Sequence, residues 1–196
     1  MNNEFYEFYK KLGRYPKVIK SRDCFIHNGG YFAATIKVLE GGFVDYWGVK
    51  TREEFIKDVE SGWVTVDIPD GETLRICNQD LVVRVEETRW QYDRPDDNIK
   101  IGDLMFRHKW VTKESFKMEI LDAIDTAKGN KPASQLCYEA FINYENNPNA
   151  ETQRKLKKAY EDVPEHNRIF ILGDQDLKDK PLLWALAKDH KRDSNV

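Results

Sequence analysis

Tyr31-Phe32-Ala33-Ala34-Thr35-Ile36-Lys37-Val38-Leu39-Glu40-Gly41-Gly42-Phe43 is the stretch on which the fold turns. Phe32, Ala34, Ile36 and Val38 recur at every second position, and a period of two puts them on one face of a strand. Gly41-Gly42 then offers two residues free to adopt positive φ, the chemistry of a tight hairpin turn into residues 43–49. Downstream, Val64, Val66 and Ile68 share one face of residues 63–68. Pro69-Asp70-Gly71 turns the chain into residues 73–77, and residues 81–90 supply another long strand. One helix interrupts this meander: Thr51 is an N-cap with Glu54 three residues on, a capping box. Phe55, Ile56 and Val59 form its apolar stripe and Gly62 stops it. Upstream, Phe5, Phe8, Tyr9 and Leu12 fall at i, i+3, i+4 and i+7, which predicts an opening helix closed by Gly13.

Past Trp90 the period changes. Residues 91–98 (QYDRPDDN) show no periodicity and carry three aspartates and a proline, the composition of a boundary. Thr112 then caps a helix bearing Phe116, Ile120, Ile124 and Ala127, with Gly129 as its stop. A second helix from Pro132 turns Leu136, Cys137, Ala140, Phe141 and Tyr144 inward and ends at Asn147-Pro148. Asn149 caps a third with Leu156, Ala159, Tyr160 and Val163 inward. Residues 168–172 read as a short buried strand, and Pro181 opens a last helix through Leu182, Leu183, Trp184 and Leu186. The expected class is α+β. Residues 1–98 make a β-rich subdomain, an antiparallel meander or small barrel with one inserted helix. Residues 99–196 make a mainly α-helical subdomain with one strand near 168–172.

Composition removes several classes of function. Of 196 residues, 40% are hydrophobic and 33% charged, with 10 Phe, 9 Tyr and 5 Trp, too aromatic for a disordered chain. No apolar run is long enough to span a bilayer, so no membrane partner is expected. Residues 1–20 interleave Glu4, Glu7, Lys10, Lys11 and Arg14 with their apolar positions and form no secretory h-region. A net charge of −3 is not the footprint of a nucleic-acid binder. Cys24, Cys77 and Cys137 are odd in number, widely spaced and set among apolar neighbours. They read as small buried hydrophobes in a reducing compartment, which places the chain in a cytoplasm.

Familiar catalytic signatures are absent: no Gly-x-Gly-x-x-Gly, no phosphate-binding loop, no His-Glu-x-x-His and no Gly-x-Ser-x-Gly. No cofactor is expected. Cys24 and His27 lie three apart in an extended segment, so they point to opposite faces and share no metal. Asp174, Asp176 and Asp179 follow the strand expected at 168–172, and carboxylates delivered by a strand end can hold Mg²⁺ or Ca²⁺. With Lys178 and Lys180 interleaved, the plainer reading is a solvated loop with one aspartate as a helix cap. The basic residues Arg154, Lys155, Lys157 and Lys158 read as the wet side of an amphipathic helix. That leaves the aromatics of the sheet. Tyr46, Trp47, Trp63 and Trp90 lie in or beside expected strands whose faces are mixed, and aromatics on such faces anchor partners.

Three stretches carry a resemblance: Arg22-Asp23-Cys24-Phe25-Ile26-His27, Glu60-Ser61-Gly62-Trp63-Val64, and residues 163–181, Val-Pro-Glu-His-Asn-Arg leading to Leu-Gly-Asp-Gln-Asp-Leu-Lys-Asp-Lys-Pro. Together they resemble an uncharacterised two-part bacterial family of domains of unknown function. The resemblance implies a bacterial cytosolic origin and two fused parts, and it transfers no catalytic residue. The expectation is a non-enzymatic protein-interaction or binding protein, with another protein as partner. The alternative is a metal-assisted hydrolase built on Asp174, Asp176 and Asp179, with His166 as base.

Overall fold

A computed structural model of the chain describes residues 3–69, 71–76, 79–86, 89–93, 100–106, 111–172 and 180–187, with the backbone alone described from 76 to 106 and at 180. The chain forms two compact units, residues 1–128 and 129–196. Unit one opens with α1 (Asn3–Leu12), then β1 (Val18–His27), β2 (Tyr31–Leu39), β3 (Val44–Asp45), β4 (Val49–Lys50) and α2 (Arg52–Glu60). It continues through β5 (Val64–Thr65), β6 (Thr73–Ile76), β7 (Gln79–Glu86), β8 (Arg89–Asp93) and β9 (Lys100–Phe106) to α3 (Lys113–Ala127). Unit two holds α4 (Ala133–Asn146), α5 (Ala150–Glu161), a 3-10 helix (Glu165–Phe170) and α6 (Lys180–Ala187). The class is α+β, as the two periods predict.

Among the described residues nine strands join one sheet in the order β4-β3-β2-β6-β7-β8-β9, with β1 on β2 and β5 on β1. Every pairing is antiparallel except β2 with β6. The alternation read from β2 is the one observed: Ile36 and Val38 are buried, Phe32 and Ala34 pack against the same core, and Ala33, Thr35 and Lys37 are exposed. The turn at Gly41 and Gly42 has φ of +86° and +82°. A Cβ on Gly41 would lie 2.6 Å from the Phe8 ring, so α1 settles directly on the turn. Phe5 and Phe8 reach Phe43 there, with ring centroids 5.3 and 5.6 Å apart.

Helix starts follow their sequence signals closely. Thr51 accepts from the Glu54 N–H, and the Glu54 carboxylate accepts from the Thr51 N–H at 2.7 Å. Thr112 caps α3 with Ser115 returning the bond, and Asn149 caps α5 by accepting from Glu151 and Thr152. Each pair satisfies backbone donors that the first turn would otherwise leave open.

Four expectations need correction. The division falls between Lys128 and Gly129 rather than at 98/99, because α3 buries Phe116, Ile120 and Ile124 in the same core as Ile36, Val38 and Phe55. Residues 168–172 are not a strand: residues 168–170 end the 3-10 helix and 171–172 are turn, the segment held by Arg168. The Arg168 guanidinium donates to the carbonyls of Val163 and Glu161 at 3.0 and 3.1 Å and lies 5.1 Å from the Tyr160 ring centroid, which winds the chain back on α5. In α4, Leu136 faces outward rather than inward, leaving Cys137, Phe141 and Tyr144 to form the second core with Leu156 and, from α6, Leu182 and Ala185. Finally, the strands expected over 43–49 and 63–68 are each cut to two residues. After β5 the Thr65 hydroxyl donates to the Asp67 carbonyl and accepts from its N–H, a side-chain turn that competes with the ladder.

The membership of α3 in the sheet unit is testable. Ile120→Ala should destabilise unit one by about 2–5 kcal/mol through the cavity it leaves. Hydrogen exchange should then quicken in β1 and β2 while the amides of α4 and α5 keep their protection. Faster exchange in α4 and α5 would assign α3 to the other unit.

Candidate functional site

β3 and β4 are two residues each because the chain between them turns at Tyr46, Trp47 and Gly48. The Tyr46 N–H donates to the Gly48 carbonyl at 3.2 Å, and Trp47 has φ of +45°. Among the described residues it is the one non-glycine with positive φ. A side chain in this left-handed region crowds the following carbonyl, at a cost of about 1–2 kcal/mol. Trp47 is also 51% exposed, so burial of its ring does not compensate in full.

The two neighbours of Trp47 are rings. Phe32 of β2 lies 5.2 Å away at 65°, and Trp63, just before β5, lies 6.0 Å away at 82°. Each of these rings also has a cation over it. Arg75 of β6 stands 5.5 Å from the Phe32 centroid and Lys50 of β4 stands 5.7 Å from the Trp63 centroid. The contacts run Lys50–Trp63–Trp47–Phe32–Arg75, with the exposed indole in the middle. Such a run of rings offers apolar contact area around the exposed indole.

The sequence brought forward four aromatics, and the structure assigns them different places. Trp47 and Trp63 touch one another. Tyr46 is buried beneath them, its hydroxyl donating to Asp58 at 2.9 Å and its ring 6.0 Å from Trp63. Burial, then the Asp58 carboxylate, push its phenol well above the ordinary range. Tyr46 therefore props the row from below. Trp90 lies in β8 opposite Val85 and Met105, and its side chain is outside the described residues. The strand expected over residues 43–49 would carry Trp47, whereas Trp47 occupies the turn between β3 and β4. Phe32, Lys50 and Arg75 were missed, because a row assembled from β2, β4 and β6 has no spacing in the sequence.

The other candidates separate in the same way. Asp174, Asp176 and Asp179 lie outside the described residues, and the strand meant to deliver them is a 3-10 helix. His166 is buried in that helix. Cys24 is buried while His27 is exposed and stacked on Tyr31 at 4.5 Å, so the pair does part across β1. Arg154, Lys155, Lys157 and Lys158 are all exposed on α5, with Lys155 paired to Glu151 at 2.7 Å. Cys24 and Cys137 are free thiols, whereas Cys77 lies outside the described residues. Desolvation, with Asp23 adding to it, pushes the Cys24 thiol up to about 12, and desolvation pushes Cys137 up to about 11. A thiolate is the reactive form, so neither is a nucleophile at neutral pH. No helix among the described residues is long and apolar enough to cross a membrane.

Comparison with known proteins finds two domains of unknown function along the chain. Residues 19–108 match the Domain of unknown function DUF7638, and residues 132–194 match the Domain of unknown function DUF7639. α3 lies between the two matches. No curated protein and no solved structure matches the chain.

The thiols give a pH-dependent prediction. Unfolded thiols ionise near pH ~8.5, whereas folded Cys24 keeps its proton to about 12. Below ~8.5 both states are protonated and this contribution to stability is complete. Above it the unfolded state alone loses the proton, so stability falls as pH rises toward 12. The melting temperature should therefore drop between pH 8 and 10.5, with a shallower slope in Cys24→Ala. Iodoacetamide at pH 8 should modify Cys24 and Cys137 only after denaturation.

Proposed function

We propose that the protein is a non-enzymatic interaction protein of a bacterial cytoplasm, and that it binds another protein through the Trp47 row. The observation that carries this reading is Trp47 itself, a bulky side chain in a backbone conformation that glycine or asparagine adopts more cheaply. Half of its surface faces solvent. A turn selected only for stability would not hold an exposed indole there, and strained, exposed positions are where stability is yielded to binding. Tryptophan ringed by partly buried neighbours is also the commonest kind of binding hot spot. The free buried thiols suit a reducing compartment, and the resemblance to a bacterial family supplies the source.

The test uses Trp47→Asn, which tolerates the left-handed turn. Its melting temperature should match or exceed that of the native chain. A random-peptide phage library panned on the full chain should enrich a family of sequences whose affinity falls at least roughly thirtyfold in the variant, the 2 kcal/mol of a hot spot. No enrichment, or equal affinity for both chains, would overturn the reading.

A further inference from the structure

Trp47 sits at the tip of a short arm, residues 43–50, and the arm is thinly held by the sheet. β3 has two rungs to β2, Lys37↔Asp45 and Val38↔Val44, and two to β4, Val44↔Lys50 and Asp45↔Val49. Ladders this short do not by themselves fix a strained turn. A non-glycine residue at φ of +45° persists only where its surroundings over-determine it. At the tip that anchor is Tyr46, buried and bonded to Asp58. The base of the arm needs an anchor of its own.

α1 provides it. Phe43 closes the β2–β3 turn by accepting from the Leu39 N–H at 2.8 Å. Its half-buried ring meets Phe5 at 5.3 Å and Phe8 at 5.6 Å. Phe8 also covers Gly41, where a Cβ would come within 2.6 Å of its Cζ. The segment after α1 is tied to the same turn. Arg14 pairs with Glu40 at 2.8 Å, and the Lys17 N–H donates to that carboxylate at 3.3 Å. The Glu40 N–H returns to the Lys17 carbonyl at 2.8 Å. Tyr15 meets Phe5 edge-on at 6.4 Å, and partial burial, then the Asp45 carboxylate of β3, raise its phenol. Of the ten residues of α1 only Phe5 is buried, and the core around Phe55, Phe116 and Ile120 contains none of them. The helix grips the turn without building that core.

Resting on the reading of Trp47 as the contact residue, we infer that Phe5 and Phe8 are positioning residues for that contact: α1 is a strap that holds Phe43, and through it the arm that presents Trp47 in its left-handed turn. With the strap lifted, the base of the arm loosens, the turn relaxes to an ordinary φ, and fewer chains carry a formed site. Apparent affinity falls in proportion to that fraction.

The test compares the native full chain with Phe5→Ala/Phe8→Ala and with Phe5→Leu/Phe8→Leu. Hydrogen exchange at residues 43–48 should quicken at least about tenfold in the alanine pair, with α2 and α3 changed less than about twofold. In chains labelled with fluorotryptophan, the fluorine resonance of Trp47, assigned by its loss in Trp47→Asn, should move. A peptide enriched by panning on the native chain should bind the alanine pair at least about fivefold more weakly. The leucine pair keeps an apolar contact on Phe43 and should stay within about twofold of the native affinity. If the alanine pair fails to fold by circular dichroism, Phe8→Ala alone carries the test, because Phe8 is only half-buried. Native exchange at 43–48, an unmoved Trp47 resonance, unchanged affinity, or acceleration spread evenly over α2 and α3 would each overturn the inference and leave the interaction reading standing. Peptides that bind Trp47→Asn as well as the native chain would overturn that reading instead, and exchange at 43–48 would then decide the strap alone.

Discussion

A run of ring contacts from the core to the surface sets the geometry of the front unit. Phe116 of α3 meets Phe55 of α2 at 6.3 Å, Phe55 meets Tyr46 at 6.3 Å, and Tyr46 meets Trp63 at 6.0 Å. Trp63 then touches Trp47. Phe55 and Phe116 are fully buried, so each has one place to sit, and the exposed indole inherits a position from them. Aromatic pairs prefer such edge-to-face arrangements to flat sandwiches. The helix is thus part of the scaffold of the candidate site.

Charge fixes the same helix to the sheet. Glu119 of α3 is only 5% exposed, and its two oxygens face Lys20 at 2.8 Å and Arg22 at 3.3 Å, both on β1. A carboxylate that deep is tolerable only when paired, and leaving it alone would cost several kcal/mol. The apolar residues Phe116, Ile120 and Ile124 would accept a range of helix rotations. The paired carboxylate accepts few. Lys113 adds a bond to the Glu60 carbonyl at 3.0 Å, tying α3 to the end of α2 as well.

The second unit uses a different device. α5 ends where Arg168 donates to the Glu161 and Val163 carbonyls, placing a cation against the open acceptors of a helix C-terminus. The Gln153 amide reaches the Ala185 carbonyl at 2.8 Å and holds α6 to α5. Leu183 and Trp184 stay outside because the helix turns only one stripe toward Leu156 and Cys137. Trp184, 68% exposed, shows how far an apolar run of four residues is from implying four buried side chains.

Sequence alone determined whatever depends on neighbours within a few residues. The period-two face of β2, the caps at Thr51, Thr112 and Asn149, and the glycine turn after Leu39 were all legible, because local sterics and first-turn hydrogen bonds decide them. Trp47 and Trp63 were legible only as aromatics near strands. Tertiary structure decided the rest. It put α3 with the sheet, where a boundary had been read from composition. It wound residues 168–172 into the end of a 3-10 helix and a turn, through an arginine whose acceptors lie on the preceding segment. It also gathered Lys50, Trp63, Trp47, Phe32 and Arg75 from β4, the start of β5, the β3–β4 turn, β2 and β6. The physical reason is common to all three. Each depends on which distant surfaces bury one another, and the apolar area or buried charge gained there outweighs the fraction of a kcal/mol per residue by which local propensity speaks.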